Sequence, residues 1–152
     1  MAQTSIDRIE KAKLLHTPKS GVWRALTDTT EFGSWFEVKL DGEFAPGRTV
    51  KGRITHPGYE HVEFEVKVEK MEPGRLFSFH WHPYAVDPKV DYSSEPMTLV
   101  AFRLEDHQGG TRLTLMESGF DHIPAARREE AFRMNSQGWD AQMKNIERHL
   151  AK

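Results

Sequence analysis

Glu117 is the ionisable side chain that the sequence places on the dry face of a predicted strand. It shares strand parity with Leu113 and Leu115, so we expect it to point inward. A carboxylate that faces an apolar interior has a raised pKa and needs a partner, and general bases and ligand-orienting groups arise in this way. The simpler alternative is a residue at the strand end that reaches solvent or pairs with an arginine.

His80 and His82 are two imidazoles separated by one residue, so on a strand they share a face and could bind zinc with a third ligand. The pattern of the neighbouring strand places Lys67 opposite His80 and Glu65 opposite His82 on the wet face. A lysine beside a ligand would repel a cation. We therefore expect a solvated charged face here and no metal site.

A long segment with three prolines, residues 83–96, carries Tyr84 and Tyr92 between two predicted hairpins. Segments of this kind often form lids or binding loops. Either tyrosine could supply an acid to chemistry in a cavity below it, with Glu117 as the base. The sequence contains no nucleophile motif, phosphate loop or dinucleotide fingerprint, so we expect no cofactor.

The strands that must position these residues are predicted from alternating hydrophobicity. Apolar residues occupy even positions in one strand and odd positions in the next, around the turn Glu72-Pro73-Gly74-Arg75: Val62, Phe64, Val66 and Val68, then Phe77, Phe79 and Trp81. Pairing Glu72 with Arg75 would place Val68 opposite Phe79 and both apolar sets on one face, although a bulge could shift the pairing locally. A second hairpin alternates in the same way around Gly109-Gly110, with Val100, Phe102 and Leu104 before the turn and Leu113 and Leu115 after it.

The helices are predicted from start signals and from helical spacing. After a weakly alternating strand at residues 5–15, Thr17 looks like an N-cap with Pro18 at the first helical position. A second short helix follows at about residues 30–35. Pro124 opens the last helix, which has an apolar stripe: Phe132, Trp139, Met143, Ile146 and Leu150. Its opposite side carries charged residues.

One apolar sheet face and one apolar helix stripe must cover each other, which predicts an α+β domain. We expect a curved antiparallel sheet of about six or seven strands around the long C-terminal helix, with two short helices after the first strand. Residues on the facing surfaces are candidates for binding a ligand, unless they only fill the core: Trp35, Phe64, Phe79, Trp81, Phe102, Glu117, Phe120, Trp139 and Met143.

Composition restricts the function further. The chain has 152 residues, which fits one domain, and its formal net charge of -2 with scattered lysines and arginines argues against nucleic acid as a partner. It has no cysteine, no stretch of signal-peptide type and no run long enough to span a bilayer, so we expect a cytoplasmic protein.

Several segments resemble the START-like, or SRPBCC, superfamily, and within it the family of the activator of the heat-shock protein 90 ATPase. They follow the family's order over nearly the whole chain: VWRALTD with Trp35-Phe36, DGEFAPGRTVKGRI, PGRLFSFHW, GGTRLTLMESGF and GWDAQMKNIERHL. The resemblance implies a helix-grip fold over residues 1–152, with a cavity that in many relatives holds lipids, sterols or polyketides. The sequence departs from the family at Met116-Glu117, where threonine followed by histidine is frequent.

Three functions remain open at this point. The first is binding or carriage of a hydrophobic small molecule, and the second is a cyclase or hydrolase that uses the same cavity. The third, which only the resemblance implies, is co-chaperone-like activation of an ATPase, with a chaperone or a second copy of the chain as partner. Because Glu117 is the only ionisable group predicted on the dry face, binding is favoured over acid–base catalysis.

Overall fold

The computed structural model describes residues 8–151, which form one open antiparallel sheet of seven strands covered by helices. The strand order is β1-β7-β6-β5-β4-β3-β2, so β1 and β2 form the two edges. The strands are β1 (Arg8–Leu15), β2 (Val38–Leu40), β3 (Thr49–Ile54), β4 (Glu63–Glu72), β5 (Leu76–Trp81), β6 (Thr98–His107) and β7 (Gly110–Ser118). This is the predicted α+β class. The predicted start of the first strand lies outside the described residues.

Two short helices follow β1, and a long helix ends the described chain: α1 (Lys19–Thr27), α2 (Thr29–Phe36) and α3 (Ala125–Leu150). The predicted N-cap at Thr17 is wrong by one residue. Pro18 occupies the N-cap, and its carbonyl oxygen accepts hydrogen bonds from the amides of Gly21 and Val22. The Thr17 carbonyl oxygen instead accepts the Thr111 hydroxyl at 2.7 Å, which ties the start of α1 to β7.

The hairpin of β4 and β5 differs locally from the predicted register. Glu72 pairs with Leu76 rather than with Arg75, whereas Val68 pairs with Phe79 as predicted. A bulge between Val68 and Lys70 absorbs the difference of one residue, because two residues of β4 there oppose one of β5. The apolar face of both strands is therefore preserved.

The hairpin of β6 and β7 closes through a two-residue loop. Gln108 and Gly109 both have positive φ angles, 48° and 85°. Such loops match the twist of the two strands they join. The resulting register places Glu117 opposite Val100 and Leu115 opposite Phe102, so all four side chains share the inner face.

The helix α3 packs over this inner face with the predicted stripe. Trp139, Met143 and Ile146 are buried, while Phe132 and Leu150 are half-buried. At the sheet edge, two lysines of β1 form ion pairs with the helix: Lys11 with Asp140 at 3.1 Å and Lys13 with Glu147 at 3.2 Å. The helix is thereby held across the sheet, with one end of the inner face left for a cavity.

Candidate functional site

A cavity of about 850 Å³ lies between α3, the sheet and two loops. Its floor is formed by residues of α2, β4, β5 and α3. The loop that joins β3 to β4 borders one side, and residues 84–93 of the loop after β5 border the other. Tyr59 and Val90, which are 46% and 43% exposed, line it where it opens to solvent. This volume is within the range of small-molecule binding sites.

The floor of the cavity is aromatic. Trp81 and Trp139 stack with ring centroids 5.7 Å apart, and Phe36 contacts both edge-on at 6.1 and 6.3 Å. Phe64 completes the group, 5.3 Å from Phe36 and 6.1 Å from Trp81. All four residues line the cavity. Aromatic rings give an apolar ligand a large contact area. Because the edge and the face of a ring differ in charge, they also favour certain orientations of the ligand.

Glu117 lies directly behind this floor and is 0% exposed. Its Oε1 accepts the indole N–H of Trp139 at 2.8 Å and the Asn135 amide at 3.0 Å. Its Oε2 accepts the indole N–H of Trp81 at 2.9 Å and the Thr98 hydroxyl at 2.6 Å. The carboxylate thus fixes three side chains of the cavity wall, because Trp81, Trp139 and Asn135 all line the cavity.

The electrostatics of Glu117 result from two opposing effects. Burial raises the pKa of its carboxyl group above the ordinary value, while the hydrogen bonds from Thr98, Trp81, Trp139 and Asn135 act to lower it. An indole N–H can only donate, so the two tryptophans require acceptor oxygens. The Thr98 hydroxyl can donate or accept, so the pocket can also hold the protonated acid. Neither solvent nor an arginine is its partner, which corrects the simpler alternative drawn from the sequence.

The loop over the cavity is fastened to α3 by Arg127. The Arg127 Nε atom donates to Glu95 at 2.8 Å, and its Nη1 atom donates to the Pro83 carbonyl oxygen at 2.8 Å. The guanidinium also lies 4.7 Å from the centre of the Tyr92 ring. The Arg127 side chain therefore holds both ends of the segment at 83–96, at Pro83 and Glu95, and also the ring of Tyr92. These contacts keep the segment over the cavity.

The side of α3 that faces the cavity is small and polar. Asn135, Gly138, Gln142 and Asn145 line the cavity at steps of three or four residues, beside the buried apolar stripe. A side chain at Gly138 would extend into open space, since a Cβ atom there has no heavy-atom neighbour within 4 Å. This position leaves room for a ligand next to Trp139.

The structure divides the predicted binding residues into two groups. Phe64, Trp81 and Trp139 line the cavity, and Glu117 lies behind them. The others are buried in the core and do not line the cavity: Trp35, Phe79, Phe102, Phe120 and Met143. Trp35, for example, donates its indole N–H to the Ala25 carbonyl oxygen at 2.8 Å, which anchors α2 on α1. A direct role of any of these residues in ligand binding stays a prediction.

Sequence reasoning missed Phe36 as part of the floor, the polar side of α3, and the Glu117 partners Thr98 and Asn135. One available signal was the helical spacing of small and polar residues around Trp139 in α3. No comparable signal linked Thr98 or Asn135 to Glu117, since the three residues lie on three different elements.

Of the two histidines, only His80 lies as the strand pattern indicated. The prediction that His82 lies opposite Glu65 on a solvated face is wrong, because His82 follows the end of β5, is half-buried and lines the cavity. His80 pairs with Lys67 across the strands, and the His82 ring nitrogen Nε2 is 3.1 Å from the Glu95 carbonyl oxygen. Residues 8–151 contain no group of three or more side chains that could hold a metal ion. Within the same residues, no helix combines the length and hydropathy needed to cross a membrane.

Comparison with known proteins identifies the fold. The sequence model of the family described as "Activator of Hsp90 ATPase homolog 1-like protein" matches residues 16–151. Protein MLL2253 from Mesorhizobium loti is similar with a TM-score of 0.75 and 22% identity, over 95% of this chain and 96% of that chain. The Aha1 dimer from Colwellia psychrerythraea is similar with a TM-score of 0.71 and 16% identity, over 94% and 95% of the two chains.

A third similar structure is DynU16, described as a protein in the dynemicin biosynthetic locus, with a TM-score of 0.74 and 20% identity. The match covers 96% of this chain but 48% of DynU16, so this chain spans about half the length of that protein. No curated protein shows a significant sequence match to the chain. At these identities the structural similarities show the fold, which is the predicted helix-grip fold.

Proposed function

This chain belongs to the Activator of Hsp90 ATPase homolog 1-like family, and from that premise and the cavity we propose that it binds a hydrophobic small molecule between the sheet, α3 and the loop after β5. The observation that carries the proposal is the cavity of about 850 Å³ with an aromatic floor. Phe36, Phe64, Trp81 and Trp139 supply contact area, and burial of apolar surface supplies the main driving force.

The polar groups around the cavity support binding with a defined orientation. Asn135 and Gln142 extend from α3 towards the cavity and can bond a polar atom of a ligand. Glu117 holds the amide of Asn135 and both indoles in place, so the wall is arranged before a ligand arrives. Such preorganisation lowers the ordering cost of binding.

Similar proteins add modest support. DynU16, which has a similar fold, is described as a protein in the dynemicin biosynthetic locus, and a small-molecule ligand for this chain agrees with that description. The ligand that we propose for this chain is defined only by its chemistry, as a mainly apolar molecule such as a lipid, sterol or polyketide. A cytoplasmic location remains a prediction.

Binding is better supported than catalysis with Glu117 as the base. Both carboxylate oxygens already accept hydrogen bonds from cavity-wall residues, and the side chain has no exposed surface. A substrate in the cavity would contact Trp81 or Asn135 before it reached this carboxylate. Glu117 therefore acts as a positioning residue in this proposal. Activation of an ATPase, with a chaperone or second copy as partner, stays the alternative implied by the family.

Gly138 offers a test with a matched control. Replacing Gly138→Phe fills the cavity from α3, whereas Gly138→Ala adds one methyl group and should stabilise the helix by about 0.5–1 kcal/mol. We expect the neutral dye Nile red to bind saturably to the unaltered protein and to Gly138→Ala, and to lose at least about tenfold in affinity with Gly138→Phe. Equal affinity for both variants would contradict a ligand site in this cavity.

A further inference from the structure

The charged residues that line the cavity are predominantly acidic. Five carboxylates line it: Glu37, Glu63, Glu65, Asp87 and Asp91. Among the described residues that line it, none is a lysine or an arginine, and the basic side chains there are three histidines, His56, His61 and His82. A cavity lined in this way has a negative potential, which apolar walls focus rather than screen.

Some of these carboxylates are partly compensated. Glu37 lies 3.0 Å from the ring of His56, and Glu65 lies 3.9 Å from Lys51. Asp87 and Asp91 instead accept backbone amides, from Lys89 at 2.9 Å and Ser93 at 3.0 Å, and form no ion pair with a described residue. Hydrogen bonds from Ser93 lower the pKa of Asp91, so its charge is present at neutral pH. The loop over the cavity thus contributes two carboxylates without an ion pair among the described residues, where the only basic side chain acting on Asp91 is His82.

Two arginines lie near the cavity without lining it. Arg53 pairs with Glu63 across β3 and β4. Arg127 lies over the ring of Tyr92, and its charge is paired with Glu95 at 2.7 Å.

The aromatic floor also favours positive charge. Tryptophan is the aromatic side chain that attracts cations most strongly. Trp81 and Trp139 both line the cavity, with their rings 5.7 Å apart. The two indole rings therefore favour a cation over an anion at the floor of the cavity.

We propose that the ligand of this cavity carries a positive charge on its apolar body, as an aliphatic or aromatic amine or a quaternary ammonium group. This inference rests on the proposed function and adds the charge of the ligand class. The apolar body lies against Phe36, Phe64 and the indoles, and the cationic group lies between the floor and the acidic loop. An anionic ligand of the same shape is disfavoured by the same charges.

The test uses three probes with one apolar body, namely naphthylmethylammonium, naphthylmethanol and naphthoate, titrated by calorimetry at low and high salt. We expect the ammonium probe to bind about tenfold tighter than the alcohol at low salt, and naphthoate to bind weakest. The difference in affinity between the ammonium probe and the alcohol should decrease as the salt concentration rises. Equal affinities for the ammonium probe and the alcohol would overturn this inference and leave the proposed function standing, whereas binding of none of the probes would overturn both.

Two double variants that each remove two negative charges test whether the loop carboxylates cause the preference for the ammonium probe. Asp87→Asn with Asp91→Asn removes the loop charges but keeps oxygens that can accept the same backbone amides. We expect this double variant to lower the ratio of the affinity for the ammonium probe to the affinity for the alcohol about threefold. Glu129→Gln with Glu130→Gln removes two exposed charges of α3 that do not line the cavity, and should leave the preference unchanged. An equal effect of both double variants would show a general charge effect and contradict the inference.

Discussion

The two ends of the inner sheet face have the same alternating aromatic pattern, but one end is close-packed core and the other lines a cavity. At one end Phe77, Phe102 and Leu115 are 0% exposed, and Trp23 of α1 contacts Phe77 edge-on at 6.5 Å. At the other end Phe64 and Trp81 line the cavity, where two loops as well as α3 border the sheet. We call these the closed end and the open end. The strand pattern is the same at both, so the covering element decides whether a residue is core or cavity wall.

Glu117 lies at the boundary between the two ends. It follows the core residues Leu113 and Leu115 along β7, yet its partners Trp81, Asn135 and Trp139 belong to the cavity wall. A buried carboxylate without a cation is costly unless it is fully hydrogen-bonded. Its presence at this boundary fits a role in holding the open end in shape.

The largest expected effect compares one phenylalanine from each end. Phe77→Ala at the closed end should lower the free energy of unfolding by about 3–5 kcal/mol, because the ring is fully buried among other aromatic rings that do not line the cavity. Phe36→Ala at the open end should cost roughly half as much, since one side of this half-buried ring faces the cavity, but it should weaken Nile red binding. Chemical denaturation and dye titration measure both quantities. Equal stability losses with unchanged dye binding would remove the distinction between the ends.

Loss of the Glu117 carboxylate should have the next largest effect. Glu117→Ala leaves four donors without their acceptor, and each buried unsatisfied donor costs about 1–3 kcal/mol. Because water can enter from the cavity and bond some of them, we expect a net loss of about 2–4 kcal/mol in urea unfolding. Thr98→Val removes one donor together with its hydrogen bond and should cost less. The reverse order would contradict the central role of the carboxylate.

Stability should also depend on pH in a direction set by Glu117. Burial raises its pKa in the folded protein, so its contribution to stability is fully present below the unfolded pKa and is lost as pH rises through the folded pKa. The difference in unfolding free energy between the unaltered protein and Glu117→Gln should therefore fall as pH rises above about 4.3, by at most ~1.4 kcal/mol per pH unit.

Other carboxylates contribute equally to the pH dependence of stability in the unaltered protein and in Glu117→Gln, so the difference between the two proteins removes their contribution. Glu31, for instance, has a pKa lowered chiefly by its hydrogen bond to His149 and gives the opposite slope, but it does so in both proteins. A difference that stays constant or grows with rising pH would show that the carboxyl group of Glu117 does not have a raised pKa in the folded state.

The smallest effect on stability is expected when the contacts of Arg127 with the loop at 83–96 are removed. Arg127→Gln removes the ion pair with Glu95, the hydrogen bond to the Pro83 carbonyl oxygen and the contact with Tyr92, and should cost about 1–2 kcal/mol because the ion pair is half-buried. It should instead raise the dissociation rate of bound dye several-fold, because the cover over the cavity is loosened. Stopped-flow dilution measures this rate, with the exposed Arg133→Gln as control. Unchanged dissociation would show that the loop does not retain the ligand.

Much of the fold was predictable from sequence because alternation and helical spacing report directly on burial. The strands around Phe79 and Leu113 follow this pattern, and the parity of Glu117 with Leu115 indicated its inward direction. The bulge at Glu69 was not located, because Val66 and Val68 continue a regular alternation up to it. Pairing across a bulge depends on the partner strand and the turn, and neither is fixed by the periodicity of one strand.

The site was less predictable than the fold for a related reason. Phe79 and Trp81 belong to the same apolar series of β5, yet only Trp81 lines the cavity. The difference arises from the loop at 83–96 and from Gly138, whose missing side chain leaves space beside Trp139. Such space is a property of how separate elements meet, and a local sequence pattern does not encode it.

The four tryptophans allow the most direct test of the account. Trp81 and Trp139 line the cavity, whereas Trp23 lies at the closed end and does not line it. In NMR spectra of the indole N–H groups, addition of naphthylmethanol should shift the Trp81 and Trp139 signals saturably and leave the Trp23 signal in place. Saturable binding that shifts Trp23 as much as Trp81 and Trp139, or that leaves those two signals unmoved, would contradict a ligand site at the open end.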